Sequence, residues 1–152
     1  MAPGMTPELS RPLAVTDIPP TGRMMRVEAN AAERMALARR LRLPAVEALA
    51  CDFTLMREAG GVIAAAGDLL ARVIQVCVAT AEEFSAPVEE RFSIRFVPAG
   101  RVSEGFDPDT PDEIPYEGGM LDLGEAAAEQ LALALDPWPR KPDLGEQPPD
   151  GA

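Results

Sequence analysis

The pattern of apolar and polar positions along the chain predicts an antiparallel β-sheet. Two stretches alternate with a period of two residues, as half-buried strands do. Their apolar positions are Leu49, Cys51, Phe53 and Leu55 in the first stretch, and Phe92, Ile94 and Phe96 in the second. Between them, residues 62–80 are apolar on both faces, which is typical of a central strand, and Gly67 predicts a bulge or break. With turns at residues 58–61 and near Pro87, the three strands are expected to form a meander.

Two short stretches near the N-terminus predict further strands. They cover residues 9–15 and 24–29, on either side of the sequence Pro-Pro-Thr-Gly at residues 19–22. Proline and glycine in this order are typical of a turn. The two stretches are therefore expected to pair with each other as an N-terminal hairpin.

A first helix is predicted directly after these strands. Asn30 can cap its N-terminus, and Glu33 completes a capping box because its side chain can reach back to the cap. Pro44 ends the segment. The positions expected to face the core are Met35, Leu37, Ala38 and Leu41.

A second helix is predicted near the C-terminus. Asp122 can cap it, Glu125 can reach back in the same way, and Pro137 and Pro139 stop it. The order of the elements indicates an α+β fold. In this fold an antiparallel β-sheet, open or barrel-like, carries one helix near the N-terminus and one near the C-terminus.

The length and composition of the chain suit a single domain. It has 152 residues, of which 47% are hydrophobic and 26% charged. We assign the domain to residues 1–139, including a long acidic loop over residues 98–119, and expect the proline-rich tail of residues 140–152 to be disordered. Because we find neither a leader-like start nor an apolar run long enough for a bilayer, we expect a cytoplasmic protein.

The charge of the chain is distributed unevenly. Residues 1–101 hold 12 arginines and 12 acidic residues, whereas residues 102–152 hold 2 basic and 13 acidic residues, which accounts for the net charge of −11. An acidic region repels nucleic acid phosphates and is better suited to a basic protein. The candidate protein-binding residues are Asp107, Asp109, Asp112, Glu113 and Glu117.

Any contact with RNA must therefore come from a local basic surface. The candidate RNA-binding residues are four arginines on or just after the first helix, Arg34, Arg39, Arg40 and Arg42. A guanidinium stays charged and donates paired hydrogen bonds to phosphate. The same spacing also fits an ordinary solvated helix face, since cations are favourable near a helix C-terminus. The sequence leaves both interpretations open.

The sequence offers no catalytic constellation. There is no histidine, which removes His-based triads and imidazole metal ligands, and no phosphate-binding loop is present. The acidic loop lacks the glycine and glutamate that a calcium-binding loop needs at fixed positions. Cys51 and Cys77 lie in apolar runs and are expected to be buried. We therefore expect no enzyme activity, no cofactor and no metal, and we assign no catalytic residue.

Three segments together resemble the YceD family, the bacterial large ribosomal RNA subunit accumulation proteins. They are "RVIQVCVATAEEF" at residues 72–84, "VEERFSIRFVPAG" at residues 88–100, and the acidic loop and helix of residues 112–141. Many proteins of this family carry a Cys-x-x-Cys pair in the central strand region, suggestive of a metal site. Here Cys77 is followed by Thr80 at the second position, so a zinc site cannot be transferred to this chain.

The resemblance implies a non-enzymatic part in the synthesis, processing or stability of large-subunit (23S) rRNA. The implied partner is a precursor of the large ribosomal subunit, through its rRNA, a basic ribosomal protein or an assembly factor. In this hypothesis the arginine-bearing helix contacts rRNA phosphates while the acidic region engages a basic protein. The alternative is an acidic protein-binding module that captures a basic partner without contacting RNA.

Overall fold

The computed structural model describes residues 8–100 and 112–141. These form seven strands and two α-helices, with short 3-10 turns at Val15–Asp17 and Ala59–Gly61. The strands are β1 (Pro12–Ala14), β2 (Arg23–Glu28), β3 (Ala45–Arg57), β4 (Ile63–Val76), β5 (Glu83–Pro98), β6 (Asp112–Tyr116) and β7 (Met120–Asp122), and the helices are α1 (Ala31–Leu41) and α2 (Leu123–Ala134).

The main sheet has five strands in the order β2-β3-β4-β5-β6, and β1 pairs separately with β7. All pairs are antiparallel except β5 with β6, which run parallel from Ile94 opposite Asp112 to Pro98 opposite Tyr116. Parallel neighbours need a long connection, and residues 99–111 provide it. The α+β class and the meander of β3, β4 and β5 are confirmed. Within the described ranges β2 and β6 are open edges, so a barrel is not observed.

The predicted N-terminal hairpin is wrong. Residues 12–14 pair with β7, with Pro12 opposite Asp122, and β2 pairs with β3 instead. The carboxylate of Asp122 accepts hydrogen bonds from the Ser10 hydroxyl and from the Arg11 backbone N–H, both at 2.8 Å. The turn before Gly22 does form, closed by a bond from its N–H to the Pro19 carbonyl, but it leads from a 3-10 turn into β2.

The bulge predicted at Gly67 is also wrong. The register of β4 runs without interruption, and Gly67 lies opposite both Phe53 and Phe92. A Cβ atom at this position would lie 2.2 Å from the ring of Phe92, so the glycine makes room for the aromatic side chain. The register shift is found in β3, between Val46 and Ala48.

Only one face of β4 is buried, although its sequence is apolar on both. We call the face that packs against α1 and α2 the inner face and the opposite one the outer face. On the inner face Val73 is fully buried and, just beyond β4, Cys77 is 1% exposed, whereas Leu70 on the outer face is 53% exposed. The turn expected near Pro87 falls earlier, in the segment between Val76 and Glu83, and Pro87 lies within β5.

Helix α1 begins with the predicted capping box. The Asn30 side chain accepts a hydrogen bond from the Glu33 backbone N–H, and the Glu33 carboxylate accepts one from the Asn30 backbone N–H. Both bonds are 2.8 Å long. Leu37 is buried as predicted, but Met35 is 62% exposed. The helix ends at Leu41, and the capping residue that follows, Arg42, adopts a left-handed conformation with φ of 58°.

Helix α2 also begins at its predicted cap, since the Asp122 carboxylate accepts the Glu125 backbone N–H at 3.1 Å. Its alanine-rich face packs into the same core as α1, with Ala127 and Leu131 fully buried. The helix ends at Ala134, ahead of the prolines. No helix within the described residues is long and apolar enough to cross a membrane.

The predicted loop and tail are described only in part. Residues 112–116 of the expected loop are ordered as β6. Asp107 and Asp109 lie outside the described residues, as do residues 142–152 of the expected tail. Lys141 is held against the body of the domain, with its ammonium 2.7 Å from the Glu82 carboxylate.

Candidate ligand-binding surface on helix α1

The structure separates Arg40 from the other three predicted RNA-binding arginines. Its guanidinium lies 3.0 Å from the Glu8 carboxylate and 3.3 Å from that of Glu125, and so joins α1 to α2. Burial alone would lower the pKa of Arg40, but hydrogen bonds and charge from Glu125 and Glu8 outweigh it and raise the pKa. Arg40 therefore belongs to the contact between the helices rather than to a free basic surface.

The remaining three arginines define what we call the α1 basic surface: Arg34, Arg39 and Arg42. Arg34 is half-buried and donates one hydrogen bond to the Ala29 carbonyl at 2.8 Å, which fixes the side chain and leaves other N–H groups available. Arg39 and Arg42 are exposed, and neither forms an ion pair with any residue that the structure describes. Two of the three, Arg34 and Arg39, supply positive charge to one groove.

That groove, the α1 groove, lies between α1 and the start of β3 and has a volume of about 360 Å³. Arg34 and Arg39 line it together with the exposed Met35, while buried Ala38 and Val46 form part of its floor. None of the described residues that line it is acidic. The α1 groove thus combines an apolar floor with two cations, a combination suited to a flat apolar group that carries a negative charge.

A second groove, the outer sheet groove, lies on the outer face and measures about 520 Å³. Arg34 borders this groove too. Arg26 also lines it but is neutralised, because its guanidinium lies 3.0 Å from the Asp52 carboxylate and 3.1 Å from that of Glu28. Arg72 donates to the Ser85 hydroxyl at 3.2 Å and forms no ion pair among the described residues.

Sequence reasoning missed Arg72 as a site residue. Its position next to Val73 in the strand could have identified it. Successive side chains of a strand point to opposite faces, so with Val73 buried on the inner face, Arg72 points to the outer face. That the described elements leave this face uncovered follows only from the packing of both helices on the inner face.

The predicted acidic residues are not brought together with the arginines. Asp112 and Glu113 lie in β6 and Glu117 follows it, at the edge of the sheet. Helix α1 packs on β3, and β3 lies three strands away from β6 in the sheet. At the usual spacing of strands, β3 and β6 are about 14 Å apart. Asp112 and Glu117 are exposed and Glu113 is half-buried. Any acidic surface at this edge is therefore separate from the α1 basic surface.

Cys77 and Thr80 occupy the two positions of the incomplete Cys-x-x-Cys pattern. Among the described residues there is no group of three or more cysteine or acidic side chains that could hold a metal ion. A hydrogen bond from Thr80, aided by the backbone N–H groups of Ala79, Thr80 and Lys141, lowers the pKa of Cys77 to about 7. By contrast, burial raises the pKa of Cys51 to about 12.

The chain matches the model of a known protein family. Residues 65–152 match the model of a family described as "Large ribosomal RNA subunit accumulation protein YceD". The match covers more than half of the chain, from within β4 to the C-terminus, and leaves α1 outside. No curated protein and no solved structure matched the chain.

Proposed function

Because the chain belongs to the YceD family of large ribosomal RNA subunit accumulation proteins, we propose that it supports the accumulation of 23S rRNA by binding a precursor of the large ribosomal subunit. In this proposal the protein acts in the cytoplasm and without catalysis. It binds the precursor and thereby favours the processing or stability of the RNA.

The observation that carries the proposal is the α1 basic surface. Arg39 and Arg42 have no carboxylate partner in the described structure, and Arg34 is positioned by its bond to Ala29. Free guanidinium groups bind phosphate well, because their planar fork can donate two hydrogen bonds at once. The net charge of −11 opposes RNA at long range, so this contact depends on short-range complementarity.

The acidic edge supports a second part of the proposal. Asp112 and Glu117 are exposed near β6, at the far side of the sheet from α1. A basic ribosomal protein or assembly factor could bind there while α1 contacts RNA, because the two surfaces do not overlap. The alternative function keeps only this half, with the acidic edge capturing a basic protein and no RNA being contacted.

The test is sedimentation of the tagged protein in cell lysate on sucrose gradients. We expect the natural protein to migrate with large-subunit precursors, and the double variant Arg34→Gln/Arg39→Gln to shift toward the free fraction. The control is Arg91→Gln/Arg95→Gln, which removes the same charge from exposed or half-buried positions on β5 and should leave migration unchanged.

Ribonuclease treatment separates the two functions. Loss of the association after digestion supports contact with RNA. If the association persists after digestion and the α1 variant migrates like the natural protein, the protein-binding alternative replaces the proposal.

A further inference from the structure

The two grooves meet at Arg34. This side chain lines the α1 groove on one side and the outer sheet groove on the other, and its hydrogen bond to the Ala29 carbonyl holds it there. An extended ligand that follows both grooves would therefore pass over Arg34. The path would carry it from Arg39 on the helix toward Arg72 on the sheet.

The surfaces of both grooves are partly apolar. In the α1 groove, Met35 lies 62% exposed beside buried Ala38 and Val46. In the outer sheet groove, Leu70 is 53% exposed and the neighbouring Ala48 and Ala50 have small side chains, which leaves the sheet surface open. Flat apolar groups can lie against such surfaces.

The charges along this path are suited to phosphates. Arg39 and Arg72 have no carboxylate partner among the described residues, and Arg34 lies between them. The acidic residues lining the outer sheet groove are Glu28 and Glu89, and Glu28 is bound by Arg26. A chain of apolar groups linked by anions therefore matches both grooves better than a basic peptide does.

We propose that the RNA bound by this protein is single-stranded, and that it runs from the α1 groove across Arg34 into the outer sheet groove, where Arg72 is a further phosphate-binding residue. This inference rests on the proposed function. A single strand exposes the faces of its bases, which can lie on apolar side chains while arginines contact the backbone. A duplex keeps its bases stacked inside and could use only the arginines.

The experiment is fluorescence anisotropy of the full-length protein with a labelled RNA. The probe is an oligoribonucleotide of mixed sequence and about 12 nucleotides, within the usual range for single-strand binding domains. The same strand annealed to its complement serves as the duplex probe. We expect the single strand to bind more tightly than the duplex at each salt concentration.

The decisive variant is Arg72→Gln, and its matched control is Arg91→Gln. Both residues lie on the outer face, and both substitutions remove one positive charge, but Arg91 lines neither groove. We expect Arg72→Gln to weaken single-strand binding roughly fivefold and to reduce the slope of log K against log salt by about 0.7, as for one lost phosphate contact. Arg91→Gln should bind like the natural protein. Circular dichroism of both variants checks that the fold is intact.

The outcomes separate this inference from the proposed function. Equal binding of duplex and single strand, or an Arg72→Gln variant with natural affinity, overturns the single-strand path. If neither probe binds but the protein still migrates with precursor particles, the inference fails while a role on the precursor remains. If the protein neither binds RNA nor migrates with those particles, both fail.

Discussion

At the scale of single residues, Gly67 has the clearest structural requirement. It lies opposite Phe92 in the β4–β5 pair, and the Phe92 ring packs edge-on against Phe53 with centroids 5.8 Å apart. A glycine usually weakens a strand, because it has no side chain to pack. Here its missing Cβ gives the ring space to lie over the sheet, so the strand can remain regular.

We predict that Gly67→Ala destabilises the protein by about 1–3 kcal/mol, because the added methyl group would displace the Phe92 ring. Urea unfolding followed by circular dichroism measures the free energy of unfolding. Phe92→Ala and the double variant complete the cycle. The double variant should be less destabilised than the sum of the single variants, and additive effects would argue against the proposed clash.

Glu33 is the residue with the best-defined pH response. A hydrogen bond from the Arg11 side chain is the largest cause lowering its pKa below the ordinary value of 4.5, opposed by burial and aided by the Asn30 backbone. The two guanidinium nitrogens of Arg11 lie 2.6 and 2.8 Å from the carboxylate. Since the folded pKa is lowered, the stabilisation is present above the unfolded pKa and is lost as the pH falls through the folded pKa.

We predict that Glu33→Gln lowers the free energy of unfolding by about 1–3 kcal/mol at pH 7, because it removes the charge-assisted bonds while glutamine can keep the capping box. The difference from the natural protein should shrink as the pH is lowered below 4.5. Urea unfolding across this range measures it. The control is Glu90→Gln, which changes an exposed side chain in β5. If the stability difference between Glu33→Gln and the natural protein stayed constant with pH, the Arg11–Glu33 bond would not be the cause of the lowered pKa.

At the scale of elements, the contact between α1 and α2 depends on a charge cluster. Arg40 faces Glu8 and Glu125, and the pKa of the neighbouring Glu129 is raised by burial and by the charge of Glu125. Without Arg40, the carboxylates of Glu8, Glu125 and Glu129 would lie close together with no cation between them, and they would repel one another beside α2. Arg39, one position earlier, faces the groove instead.

We therefore expect Arg40→Gln and Arg39→Gln to differ in kind. Arg40→Gln should cost about 0.5–1 kcal/mol of stability, as partly exposed ion pairs do, and leave RNA affinity unchanged. Arg39→Gln should weaken RNA binding and leave stability within about 0.5 kcal/mol. Urea unfolding and anisotropy on the same two proteins test both statements. Equal loss of RNA affinity in the two variants would show that the arginines act as one surface.

At the scale of the whole molecule, Asp122 connects the two ends of the described chain. Its carboxylate caps α2 and also accepts bonds from Ser10 and Arg11, which lie more than 100 positions earlier in the sequence. Leu123 adds a backbone bond to the Arg11 carbonyl. The N-terminal segment is thereby fixed over the core.

Asp122→Ala should cost about 2–3 kcal/mol, more than the roughly 1 kcal/mol of an ordinary helix cap, because the long-range bonds are lost as well. The control, Asp136→Ala, removes a bond between neighbours, from the Trp138 N–H at 2.9 Å, and should cost less than about 0.5 kcal/mol. Thermal and urea unfolding of both variants give the comparison. A cost for Asp122→Ala no larger than that of a cap alone would show that the N-terminal contacts add little.

Local patterns in the sequence predicted the fold class and most elements. The alternation in β3 and β5 placed Phe53 and Ile94 correctly on the buried face, and the capping residues placed the starts of both helices. The sequence also identified the arginine cluster. It could not distinguish Arg40 from Arg39, because the two carboxylates that bind Arg40 lie 32 and 85 residues away along the chain.

By itself, the sequence determined the periodicity of strands and helices, the helix caps and the turns. These features depend on contacts between residues a few positions apart along the chain. Only the tertiary structure decided that residues 12–14 pair with β7, that Gly67 accommodates a ring, and that the elements of residues 8–100 and 112–141 leave the outer face of β4 open. Each of these depends on which distant segments meet, and many pairings would satisfy the same local pattern. The grooves that join at Arg34 arise in the same way, since α1 and the strands that line them are brought together only by folding.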